Sequence, residues 1–166
     1  LGEKSKIKVI SLPLKFIIWV IRGTPLMLQL LLIFYGPGIL FGYNVWGGNS
    51  LGRFVAALVA FVINYSCYFA EIYRAGIESI PKGQYEAAAV LGYSRIQTFW
   101  KIIFPQMVKR VLPPVTNEVI TLVKDTSLAF ALAYTEMFTL AKQVAASMAS
   151  IMPLFIAGLF YYIFNF

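Results

Sequence analysis

Lys124, Asp125 and Thr126 stand together inside an otherwise apolar stretch, and they are the residues of this chain most suited to chemistry. A span starting near Pro113 puts Lys124 about 16 Å along a helix, near the midplane of a hydrocarbon core about 30 Å thick. A charge there costs about 2.5–3.5 kcal/mol, so it marks a functional site by default. Adjacent helical residues point about 100° apart and do not pair. A local break near Thr126-Ser127 would free backbone groups and let both charges line a cavity. A ligand carrying both a positive and a negative group needs an anion for the one and a cation or amide for the other. Lys124, Asp125 and Thr126 supply both. The competing reading is an ion pair of Lys124 with Glu118 or with another subunit. Asn64, beside Tyr65 and Ser66, is a second pathway candidate; its alternative is a hydrogen bond between helices.

Other chemistry is poorly supplied. There is no histidine, so the usual general base and the commonest metal ligand are missing. We assign no catalytic and no metal-binding residue. The one cysteine, Cys67, lies in an apolar run and allows no intrachain disulfide. No Gly-x-x-x-x-Gly-Lys-Ser/Thr occurs, so no ATP site is expected on this chain.

Composition places these residues in a membrane. Apolar residues make up 60% and charged ones 13%, against about 25% charged in a soluble domain. The net charge of +7 flanks apolar runs, which points to lipid headgroups and not to nucleic acid. Four candidate spans follow: about Pro25–Phe41, Phe54–Ala70, Val111–Tyr134 and Met148–Phe164. The first two are near the lower length limit of about 17 residues. Gly42–Gly52 is a turn-rich loop, and its Tyr43 and Trp46 suit an interface belt. Pro113-Pro114 is placed at the first turn of the third span.

With four spans the loops alternate sides. Lys4, Lys6, Lys8, Lys15 and Arg22 precede the first span. Arg74, Lys82, Arg95, Lys101, Lys109 and Arg110 lie between the second and third. Only Arg53 and Lys142 fall in the other loops. The positive-inside rule puts the N-terminal segment and the long loop in the cytoplasm.

That long loop holds a polar, helix-prone segment. Pro81 and Gly83 punctuate its start, three alanines with Glu86 and Leu91 favour a helix of about eight residues, and Gly92 suits its C-terminal cap. Glu86 is expected in the first turn, complementing the helix dipole. Ala88, Leu91 and Tyr85 are expected on the surface presented to a partner. Glu86-Ala87-Ala88, Gly92 four residues on, and then Ile102-Ile103-Phe104-Pro105 resemble the "EAA loop" of permeases of binding-protein-dependent ABC importers, with Phe104 where that family most often has leucine.

Three further elements resemble the polar amino acid branch of that family. They are Arg22-Gly23-Thr24-Pro25-Leu26 with Gln29, Glu71-Ile72-Tyr73-Arg74-Ala75-Gly76-Ile77, and Lys124-Asp125-Thr126-Ser127-Leu128. Locally, Thr24 can N-cap a helix with Pro25 at its first position, and Glu71 with Arg74 is best read as an i,i+3 ion pair. The resemblance implies an all-α integral membrane protein, a type I ABC importer permease bundle with four spans here of an expected five. Residues 1–166 would form one transmembrane domain, with the first span missing and a cytoplasmic coupling loop at about 78–110. Glu86, Ala87, Ala88, Leu91, Gly92 and Pro105 would couple to ABC ATPase subunits, which carry the ATP and Mg. Gln29, Asn64, Lys124, Asp125 and Thr126 would line the pathway. The implied partners are an extracytoplasmic substrate-binding protein, a second permease copy or paralogue, and membrane lipid. The competing classes are an ATP-independent carrier or channel, for which no internal repeat is visible, and a membrane enzyme, which the sparse acidic set disfavours.

Overall fold

The computed structural model describes residues 8–166. Lys4 and Lys6 of the basic N-terminal segment lie outside them. All regular structure among the described residues is helical: α1 (Lys8–Arg22), α2 (Leu26–Phe41), α3 (Ser50–Glu78), α4 (Lys82–Val90), α5 (Arg95–Thr98), a π-helical turn (Phe99–Ile103), α6 (Phe104–Asp125), a 3-10 stretch (Thr126–Leu132), α7 (Met137–Ser147) and α8 (Met152–Asn165). The chain divides into two compact units. One comprises Leu1–Cys67 with Ile120–Phe166, and the other Tyr68–Val119.

In the first unit Leu30, Phe34, Ala56, Ala57, Ala60 and Leu132 form a buried cluster. The three alanines of α3 share this cluster with Leu30 and Phe34 of α2, small residues of the kind that favour helix packing. The N-terminal segment is itself helical, and α1 meets α2 at a bend of 109°. The bend falls at Gly23-Thr24-Pro25, where proline disfavours helix in the residue before it. Thr24 is not the cap expected of it. Pro25 holds that position without a side-chain cap, and the Thr24 hydroxyl turns back to donate to the carbonyls of Val20 (3.0 Å) and Ile21 (3.2 Å). Trp46 is tied to a neighbouring helix. Its indole N–H donates to the Ile33 carbonyl at 2.7 Å, pinning the loop to α2.

The spans differ from expectation in length. α3 has 29 residues, about 44 Å, and is alone long and apolar enough to cross a membrane unaided among the described residues. The expected Phe54–Ala70 lies inside it. The third span begins early, because Pro113 and Pro114 sit inside α6 and not at its first turn. It then changes to 3-10 geometry at Thr126. Lys142, expected in a loop, lies on α7, and Met148–Ile151 is a turn before α8.

In the second unit, α4, α5 and the π turn pack against one another. Gly76 permits the closest approach: a Cβ there would sit 2.1 Å from Val111 Cγ2.

Candidate functional site

The polar residues of the first unit fall into two groups. Asn64 and Gln29, both expected to line a pathway, are 4% and 9% exposed and bond to each other, Asn64 Nδ2 donating to Gln29 Oε1 at 3.0 Å. The Gln29 amide then donates to the Ile21 carbonyl (2.7 Å), the Thr24 carbonyl (3.1 Å) and the Thr24 hydroxyl (2.8 Å). The Asn64–Gln29 bond is the contact between helices given as the alternative for Asn64.

The second group gathers where α6 ends. Asp125 is half-buried at the last α-helical position, and the buried Tyr65 hydroxyl donates to its Oδ2 at 2.8 Å. Lys124 is exposed in the last turn of α6, where a cation complements the helix dipole. It lines a hollow of about 320 Å³ with Ser127, Phe138 and Tyr161. Among the described residues no ion pair joins Lys124 to Glu118. The break at Thr126 removes α-helical partners from the preceding carbonyls, and two hydroxyls take their place. Thr126 Oγ1 donates to Val123 O at 2.6 Å and Ser127 Oγ to Lys124 O at 2.8 Å. Lys124, Asp125 and Thr126 are thus kept together by a junction whose backbone is internally satisfied. Tyr65, Phe138 and Tyr161 were not singled out from the sequence. Nothing in an apolar helix marks which aromatic ring will turn towards a charge three elements away.

The second unit contains the helix of the long loop. α4 begins at Lys82, directly after Pro81. Glu86 is therefore its fifth residue and not in its first turn, because Gly83 lies within the helix instead of before it. The C-terminal end is as expected in kind. Gly92 is left-handed at φ +76°, its N–H bonds Ala89 O and the Tyr93 N–H bonds Ala88 O, both at 3.0 Å. This is a Schellman closure, and glycine supplies the left-handed residue without steric cost. Ala88 is 1% exposed and packs inward, whereas Val90 at 88% and Leu91 at 73% stand out. The presented surface is the C-terminal tip, with Tyr85, Glu86 and Ala87 also exposed. Ser94 and Gln97 close a capping box at the start of α5, and Pro105 is exposed in the first turn of α6. Arg74 pairs with both Glu71 and Glu78 on α3, and Arg110 donates to the Ser79 carbonyl.

Residues 4–166 match the family of binding-protein-dependent transport system inner membrane components. The chain belongs to this family. It is 36% identical over 163 residues to the L-cystine transport system permease protein TcyB of Bacillus subtilis (strain 168), covering 98% of this chain and 67% of the relative. It is 36% identical over 167 residues to the octopine transport system permease protein OccM of Rhizobium radiobacter, covering 98% and 67%. The arginine transport system permease protein ArtQ of Bacillus subtilis is 38% identical over 145 residues, covering 87% and 64%. Among solved structures, a crystal structure of an amino acid ABC transporter with histidines matches at TM-score 0.82 and 34% identity over 99% of this chain and 74% of that one.

The all-α type I importer permease fold follows. The chain is the membrane permease subunit of an amino acid ABC importer, a transport subunit without a catalytic step of its own. ATP hydrolysis belongs to a partner ATPase, and the family implies a substrate-binding protein as the other partner. Membership disfavours an ATP-independent carrier.

Proposed function

We propose that the permease carries a polar amino acid of the glutamine, glutamate or basic class through a pathway lined by Lys124, Asp125 and Thr126. The observation that carries this reading is the junction at the end of α6, where a half-buried carboxylate and an exposed ammonium lie next to each other beside a hollow. The Tyr65 hydroxyl occupies one side of the Asp125 carboxylate, leaving its other oxygen to receive a substrate ammonium. Relatives named for L-cystine and arginine, and a similar structure with histidines, support a substrate with both a zwitterionic backbone and a polar side chain.

The chain crosses the membrane several times, with the N-terminal segment and the long loop in the cytoplasm, as the distribution of basic residues supports. α4 docks on the ATPase through Glu86, Ala87, Leu91 and Gly92, and Ala88 shapes that surface from inside. Pro105 fixes the start of α6 behind it. ATP and Mg are held by the ATPase. A second permease copy or a close paralogue completes the pathway, and an extracytoplasmic binding protein delivers the substrate.

Two measurements test this. Reconstituted importer is titrated with radiolabelled arginine, glutamine, glutamate and cystine. Asp125→Asn is expected to weaken binding about tenfold, in line with a charge-assisted hydrogen bond of about 1.5 kcal/mol; unchanged affinity removes Asp125 from the site. Separately, the tagged permease is solubilised gently and its co-purifying ATPase assayed. Gly92→Asp is expected to lose the ATPase while still inserting in the membrane, and retention of both ATPase and transport sinks the role given to α4.

A further inference from the structure

Gln29 and Asn64 are the buried polar side chains of the first unit among the described residues, and their bonds lead to a second bonded pair one backbone step along α3. The path starts at the carbonyls of Ile21 and Thr24 at the bend between α1 and α2. It crosses the Gln29 amide to Asn64 on α3. The next residue of α3, Tyr65, donates to Asp125 where α6 gives way to 3-10 geometry. Four helices, α1, α2, α3 and α6, are joined, and every side chain on the route has a partner. Within each pair a lost member leaves its neighbour unsatisfied, and the α3 backbone between Asn64 and Tyr65 is what couples one pair to the other.

We propose that Gln29, Asn64 and Tyr65 are positioning residues that tie the α1–α2 bend to the Asp125 junction, so that α1 and the end of α6 shift together. The geometric part of this proposal is independent of the ligand. Its importance for transport rests on the reading of Asp125 given above.

The test is hydrogen–deuterium exchange across residues 8–22 in the full-length permease, assembled with its ATPase in lipid nanodiscs. Gln29→Leu and Asn64→Leu are expected to speed exchange in α1 about three- to tenfold, the range for loss of one net hydrogen bond. Tyr65→Phe removes a single oxygen and preserves packing, yet it too is expected to speed exchange in α1, by about threefold. The Gln29→Leu/Tyr65→Phe double variant is expected to exchange no faster than Gln29→Leu, because the path is already cut. Wild-type exchange in α1 of Tyr65→Phe, or two effects that simply multiply, overturns the proposal. Asp125→Asn keeps an acceptor for Tyr65 and is expected to leave α1 exchange unchanged. Its substrate affinity is measured in the same preparation. Unchanged affinity with a positive exchange result would fail the pathway reading and leave the mechanical link standing.

Discussion

The two units differ in where their long-range polar bonds lie. In the first, Gln29 with Asn64 and Tyr65 with Asp125 pair across helices, 35 and 60 residues apart in sequence. In the second, the bonds that reach between elements, Gln106 with Gln84 and Arg110 with the Ser79 carbonyl, are exposed, and the others are local: Arg74 with Glu71 and Glu78, Ser94 with Gln97, and Thr98 with the Ser94 carbonyl. Long-range pairs fix which helices touch and at what rotation. Local pairs fix where a helix begins and ends, and they leave surfaces such as the α4 tip free of internal obligations. The first pattern suits a unit that must hold a polar centre among apolar walls. The second suits a unit that must offer a shaped surface.

Substitutions can break this contrast, and their effects should rank by it. The largest is expected at Gly76, where a side chain meets Val111 within 2.1 Å. Gly76→Leu should cost about 3 kcal/mol by overpacking, read as loss of folded protein on heating in detergent. Asn64→Leu comes next at about 1–3 kcal/mol, because it strands the buried Gln29 oxygen; a melting point equal to wild type would show that the long-range pair is dispensable. Gly92→Ala should cost about 1–2 kcal/mol for a left-handed residue and should weaken ATPase recovery more than it lowers melting. Ser94→Ala should cost about 1 kcal/mol through the lost cap, visible as faster exchange at the start of α5. Smallest is Glu71→Gln, at most about 1 kcal/mol, since its pair with Arg74 is partly exposed. A larger loss there than at Asn64 would invert the comparison.

What could be read from the sequence was what chemistry alone dictates. A charged pair in an apolar run announced itself, and glycine after an alanine-rich segment announced a left-handed turn at residue 92. The break near Thr126 was legible because Thr and Ser can satisfy freed carbonyls with their own hydroxyls. Positions that depend on a partner were not legible. The bond between Gln29 and Asn64 was one such case, because sequence shows that a polar group is present in a span, not that another waits opposite. Ala88 read as presented because an alanine looks the same inside and outside a short helix. Pro113-Pro114 read as a helix start because proline usually is one; here the helix begins at Phe104, before them, and tolerates the gap.

That tolerance has a mechanical meaning. Pro113 and Pro114 have no N–H, so the carbonyls of Lys109 and Arg110 lack their helical donors. Two adjacent rungs are absent from one side of a 22-residue rod. A rod weakened at one place does not flex evenly. It yields most readily where those two rungs are missing and stays stiffer on either side.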